Sequence, residues 1–279
     1  KNSENTISNE NYKSPSIGIL RLDYNYPPAK GDIDHPDSFN VDVFYRVVPG
    51  LTFEMCQSGT MTTTVKNNFK EALLYLENEK KVNVITGDCG FMMYFQEYAR
   101  QLTHLPVLLS SLTQLPSIFN CISKKDEIII MTANSKSLEP MRKLIIKDNE
   151  LDYSNNRINI IGCEDVPGFE AVSLGNKVDI NKCTKGIVKK SLNAIKKYPN
   201  SKVILLECTE LPPYSDSIRK ETKLPVFDAI TNVEFLISGF KDNKRFGEDF
   251  QETWDGKQEK YEFGDNLTKK NKSMLINKI

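Results

Sequence analysis

The sequence predicts an α/β protein built from two similar parallel-sheet domains, each covered by helices. Three observations predict it. Short β-branched runs alternate with segments of helical spacing. A strand–cysteine–helix–Leu-Pro-Val frame occurs twice. The 279 residues are enough for one large or two modest domains of roughly 100–200 residues.

The elements follow in order. Residues 1–14 are polar, rich in Asn, Ser and Glu, and read as a disordered arm. A strand is expected at 16–22, then a loop with Pro27, Pro28, Gly31 and Pro36, then a strand at 41–48. Phe69, Leu73, Leu74 and Leu76 give a helix over 64–79. From there strands at 82–86, 106–109, 127–131, 157–161, 203–206 and 226–227 alternate with helices at 91–102, 115–122, 138–146, 180–197, 214–222 and 233–238. The polar tail from 241 carries Phe246, Phe250, Trp254, Tyr261 and Phe263, so it reads as an extension that wraps the body or docks a partner.

Composition excludes several classes. Thirty-seven basic residues balance thirty-seven acidic ones, so no net field draws the chain to nucleic acid or an anionic membrane. No apolar run approaches the ~20 residues of a membrane span. The six cysteines include no Cys-x-x-Cys pair, and His35 and His104 are the only histidines, so no metal site is expected. Scattered thiols suit a reducing, cytoplasmic compartment, although a chain beginning at Lys1 leaves room for a removed leader.

The repeat carries the chemistry. Val84-Ile85-Thr86-Gly87-Asp88-Cys89 leads to Leu105-Pro106-Val107, and Val203-Ile204-Leu205-Leu206-Glu207-Cys208 leads to Leu224-Pro225-Val226. Each cysteine lies sixteen residues before its Leu-Pro-Val. A buried cysteine is ordinarily structural. Two in one frame place a thiol at the carboxyl end of a strand in each unit, where open α/β sheets bind ligands. A helix N-terminus at each thiol is expected to lower its pKa. Two thiols across a cleft suit inversion of a carbon centre, one as general base and the other as general acid. Gly90 and Thr209, next to the thiols, are placed to support a substrate carboxylate as it takes up charge.

On these residues the sequence resembles the aspartate/glutamate racemase superfamily, which includes hydantoin racemases, maleate isomerases and arylmalonate decarboxylases. Glu207-Cys208-Thr209-Glu210-Leu211-Pro212 is similar to the Gly-Cys-Thr-Glu-Leu-Pro segment at that family's second catalytic cysteine. The first cysteine departs from the pattern: Gly90-Phe91 stands where the family has Asn-Thr. Glu207 replaces a glycine, and Arg21-Leu22-Asp23 replaces a Gly-rich loop. The combination of Thr-x-x-Cys-Gly-Phe, a Ser-Ser pair and Glu-Cys-Thr-x-x-Pro-Pro-Tyr resembles a branch without an assigned reaction. The resemblance implies two domains related by pseudo-twofold symmetry, at 15–112 plus 224–245 and at 113–223, with 246–279 as an extension. It also implies an active site between the domains, no cofactor, and a homodimer.

The expectation is therefore a cofactor-independent amino-acid racemase with Cys89 and Cys208 as the acid–base pair, acting on a small carboxylate or amino acid. A superfamily isomerase, lyase or decarboxylase is the alternative, as is a member that binds a metabolite or partner without turnover. Ser110, Ser111 and Thr132 are candidate carboxylate ligands, and Ser110 and Ser111 serve equally as helix caps. Arg46 is a candidate clamp for a carboxylate, or else a surface ion pair. Asp23 could meet an ammonium group or close a loop. Cys121 reads as core, and Cys56 has no special context.

Overall fold

The computed structural model describes residues 14–148 and 157–241. The expected arm, apart from Ser14, and the extension at 246–279 lie outside those residues.

The first sheet is made of β1 (Ser16–Arg21) and β2 (Asp42–Val47), then α1 (Phe53–Ser58) and α2 (Thr63–Asn78), then β3 (Val84–Gly87), α3 (Gln96–Arg100) and β4 (Val107–Leu108). Its order is β2-β1-β3-β4, with every pair parallel. The second follows as α4 (Leu115–Cys121), β5 (Glu127–Thr132), α5 (Ser135–Leu138), α6 (Arg142–Asp148), β6 (Ile158–Gly162), α7 (Ile180–Lys197), β7 (Ser201–Leu206), α8 (Ser215–Thr222), β8 (Val226–Phe227) and α9 (Ala229–Ser238). Its order, β6-β5-β7-β8, repeats the first and is again parallel.

The sequence explains these elements locally. Central strands covered on both faces read as continuous apolar runs, and Ile128–Met131 in β5 are wholly buried. Burying each such side chain contributes roughly 1.5–3 kcal/mol. Thr62 caps α2 through Val65 N, and Val65, Phe69, Ala72, Leu73 and Leu76 form its buried stripe. Asp179 caps α7 in the same way, through Lys182 N. Among the described residues, no helix is long and apolar enough to cross a membrane.

Two differences from the sequence reading matter. Asp228 and Thr231 form a capping box, so α9 begins at Ala229 rather than 233. The return to the first domain was expected at 224, yet β8 hydrogen-bonds to β7 and belongs to the second sheet. It is α9 that crosses back, burying Ala229, Val233 and Ile237 against Ile17, Ile19 and Val84.

The topology positions the site. In each sheet the chain moves outward from the first strand in one direction and then in the other, which opens a crevice at the carboxyl ends of β1 and β3, and of β5 and β7. The two crevices match atom for atom in their backbone bonds. Asp88 N donates to Leu20 O (3.0 Å), as Glu207 N donates to Met131 O (2.7 Å). Val48 N donates to Arg21 O and Cys163 N to Thr132 O, both at 2.8 Å. Arg21 and Thr132 are thus counterparts, as are Asp88 and Glu207.

Candidate active site

The loops that follow β3 and β7 meet. Thr209 Oγ1 donates to Asp88 O (2.5 Å), and Ser111 Oγ donates to Leu206 O (2.8 Å). A Cβ on Gly90 would lie 2.0 Å from Glu207 Oε1 and 2.4 Å from the Glu207 carbonyl oxygen, so only glycine permits this approach. Cys89 and Cys208 are brought into this junction, 5% and 7% exposed.

The thiols have different partners. Cys208 Sγ donates to Glu210 Oε2 at 2.7 Å. Cys89 instead lies in the same core cluster as Cys56, which α1 carries inward. The expected lowering of thiol pKa does not occur. The neighbouring Cys56 thiol holds Cys89 well above the usual thiol range, with burial adding to it and then Asp88 and Glu207. Burial, followed by Glu210 and Glu207, does the same for Cys208. The segments after the cysteines are short 3₁₀ turns, Gly90–Phe95 and Pro212–Tyr214, so the helix field is weak and desolvation wins.

Carboxyl groups surround the junction. Asp88 accepts twice from Leu22 N (3.1 and 3.0 Å), and Arg21 Nε lies 3.8 Å from it. Arg21 also makes a two-point bond with Asp34, 3.0 Å at each oxygen. Asp32 accepts from Tyr26 Oη at 2.9 Å on both oxygens. Glu207 Oε2 accepts from Thr132 Oγ1 (2.6 Å), while its Oε1 is buried without a partner. Burial pushes Asp32 up to about 8, aided by Glu210. Glu207 and Glu210 are pushed up to about 7, again chiefly by withdrawal from water. Of these five carboxyls Arg21 pairs with Asp34 and Asp88, and burial holds the other three, Asp32, Glu207 and Glu210, above the usual carboxyl range.

A strap from the first sheet closes over the second. Tyr24 Oη donates to Val172 O (2.7 Å), and Ile33 N donates to Thr209 O (3.4 Å). At Gly31, with φ of +100°, a side chain would press on Pro213. A cavity of 560 Å³ lined by Gln96, Arg100, Pro116 and Lys147, and one of 290 Å³ beside Gly59 and Tyr94, lie apart from these carboxyls.

The other expected residues are spoken for. Ser110 Oγ accepts from Leu112 N as a cap, and the hydroxyls of Ser111, Thr132 and Thr209 are used in the bonds above. Asp23 closes a loop by accepting from Gly50 N (2.8 Å). Arg46 is exposed on β2, its guanidinium 4.2 Å from the Tyr75 ring centroid, and does not join the cluster. Cys121, expected in the core, is exposed because it ends α4. Sequence reasoning passed over Arg21, Tyr26, Asp32, Asp34, Cys56 and Glu210. Of these only Glu210 stood inside a motif.

Two parallel sheets of one topology, each with a thiol two residues past its third strand, form a fold shared with solved racemase and decarboxylase structures. Allantoin racemase from Klebsiella pneumoniae superimposes with a TM-score of 0.53 at 13% identity, over 81% of this chain and 87% of that one. Arylmalonate decarboxylase superimposes with a TM-score of 0.51 at 15% identity, over 81% and 92%. No family profile matches the sequence. The chain belongs to the dimethylsulfoniopropionate lyase family: it is 49% identical to dimethylsulfoniopropionate lyase of Durusdinium sp. clade D, over 94% of this chain and 87% of that protein. It is also 49% identical to dimethylsulfoniopropionate lyase 7 of Emiliania huxleyi, over 94% and 78%.

These relatives correct the expected activity. Their names are those of lyases, so an amino-acid racemase or isomerase is replaced by the alternative, a lyase on the racemase fold. The relatives are dimethylsulfoniopropionate lyases rather than the racemase branch expected from the Cys-Gly-Phe and Glu-Cys-Thr motifs.

Proposed function

We propose that the chain eliminates dimethyl sulfide from dimethylsulfoniopropionate, a small carboxylate that bears a sulfonium cation. The family supports this substrate. The observation that carries the chemistry is the bond from Cys208 Sγ to Glu210 Oε2, 2.7 Å, at a junction where buried carboxyl groups gather.

Elimination needs one base on one face. Glu210 takes the thiol proton, and the Cys208 thiolate removes a proton from the carbon next to the substrate carboxylate. That electron pair forms the carbon–carbon double bond as the carbon–sulfur bond breaks and its pair leaves on sulfur. The products are dimethyl sulfide, acrylate and one proton, which leaves through Glu210. The sulfonium favours the charged state of the pair. Asp32 and the rings of Tyr24 and Tyr26, with centroids 5.9 Å apart, suit that cation. A racemase needs matched groups on both faces. Here Cys208 is bonded to a carboxylate, whereas Cys89 neighbours another thiol.

The test is incubation of the purified chain with dimethylsulfoniopropionate, following headspace dimethyl sulfide by gas chromatography and acrylate by NMR. Equimolar release of both, lost in Cys208→Ala, is the expected result. Absence of both products under conditions where the chain is folded overturns the proposal.

A further inference from the structure

The two crevices differ at one equivalent point. Asp88 lies beside a cation, Arg21, and accepts two bonds from Leu22 N. Its counterpart Glu207 has Thr132 where Asp88 has Arg21, and a hydroxyl neutralises nothing. Glu207 is 1% exposed. The titratable groups acting on it or feeling it are Glu210, Cys208 and Cys89, none of them cationic. Such a carboxyl holds its proton, consistent with its shift to about 7 by burial. Oε2 accepts from Thr132, which leaves Oε1, the oxygen that has no partner, as the place for a proton. Oε1 lies against Gly90, the residue after one thiol, while Glu207 itself precedes the other.

We propose that Glu207 is a neutral carboxylic acid that donates a hydrogen bond from Oε1 to the substrate carboxylate and strengthens that bond as the neighbouring carbon loses its proton. This deepens the elimination proposed above and rests on it. As the proton departs, negative charge moves into the carboxylate oxygens, and a donor fixed there in a dry site stabilises the change. Protein sites are known to keep a buried carboxylic acid neutral for this kind of donation. The superfamily pattern has an amide and a hydroxyl after its first cysteine. Here Gly90 removes that side chain, and Glu207 reaches into the vacated space from the opposite sheet.

The experiment uses Glu207→Gln, which keeps shape and a donor but cannot ionise, and Glu207→Ala, which keeps neither. Folding is checked by circular dichroism, and if the alanine variant does not fold, the glutamine variant decides. At pH 6 the glutamine variant should release dimethyl sulfide within about tenfold of the parent, and the alanine variant should fall by roughly 10²–10³-fold. Propionate serves as the binding probe. Its loss of affinity between pH 6 and pH 8 should be about tenfold smaller in Glu207→Gln than in the parent, since a group titrating near 7 changes its protonated fraction by that factor. A glutamine variant as inactive as a folded alanine variant means that an ionised Glu207 is required, and overturns the proposal. So does an unchanged pH dependence of propionate binding. If the parent releases no dimethyl sulfide, the elimination reading fails, and the propionate measurement still decides the role of Glu207.

Discussion

Glu207 and Gly90 share one volume: the carboxyl of the first fills the space from which the second omits a side chain, 2.0 Å from a would-be Cβ. The two departures from the racemase pattern, at positions 90 and 207, therefore meet in space. Gly90→Ala should destabilise the fold by about 1–3 kcal/mol through overpacking and cut dimethyl sulfide release at least tenfold. Adding Glu207→Gly should restore only part of the stability, because the residue 207 carbonyl still stands 2.4 Å from the new Cβ. Denaturant unfolding of the single and double variants checks this. Equal losses in both would mean the side chains are not coupled.

The thiols should be unequal in function. Cys208→Ala removes the base, for which a loss of roughly 10²–10⁴-fold is expected. Cys89→Ala should cost about tenfold or less, through packing around Cys56. Steady-state rates with dimethylsulfoniopropionate measure both, and comparable losses would restore a symmetric two-thiol scheme.

Glu210 should set the acid limb of the pH–rate profile. The pair it forms with Cys208 must have lost one proton to act, and Glu210 is pushed up to about 7 by burial. Activity should rise with pH through that range, the apparent pKa belonging to the pair. Glu210→Gln should flatten the limb and lower the rate by about 10²-fold. A profile that keeps its limb in the variant would assign the titration elsewhere.

Asp32 faces the strap side of the pocket and is bonded by Tyr26, so its contribution should lie in holding the cation. Asp32→Asn should raise KM at least tenfold with a smaller change in kcat. Acrylate, which has no cation, should bind the variant as well as it binds the parent. A fall confined to kcat would contradict this placement.

Stability should decline from acid toward neutral pH. Asp32, Glu207 and Glu210 keep their protons to about 8, 7 and 7 in the folded chain, against ordinary values of 3.8, 4.5 and 4.5. Between those limits the folded state binds more protons than the unfolded one, so each group stabilises below its ordinary value and loses that contribution as pH rises through its folded value. The upper limit is about 1.4 kcal/mol per pH unit per group. Chemical unfolding at pH 5, 6.5 and 8 reads the slope, which should be shallower in Glu207→Gln. A slope of opposite sign would refute the assignment.

The sheets and the paired cysteines were legible because apolar runs and the Leu-Pro-Val frame lie in contiguous sequence. The carboxyl cluster was not. Arg21 meets Asp34 across a loop that reads only as turns, and Asp32 gains its importance from Glu210, far along the chain. Cys56 sits on a helix too short for its periodicity to show. The direction of the thiol pKa shifts was misread because a local rule about helix ends was applied where burial and acidic neighbours decide. The hydroxyls of Ser111, Thr132 and Thr209, expected as carboxylate ligands, give their protons to backbone or Glu207, a use that depends on chain segments far apart in sequence.

The repeated topology has a further consequence. A duplicated unit offers two nearly identical workbenches, and a reaction that runs in both directions across one carbon occupies both. A one-way elimination occupies one. Under the proposed elimination the first crevice needs no base, and its groups bear load instead: Asp88 holds the end of β1, Arg21 ties the strap, and Cys89 lies in one core cluster with Cys56. Two copies of one frame thus present different groups at equivalent points, a guanidinium beside Asp88 and a hydroxyl beside Glu207.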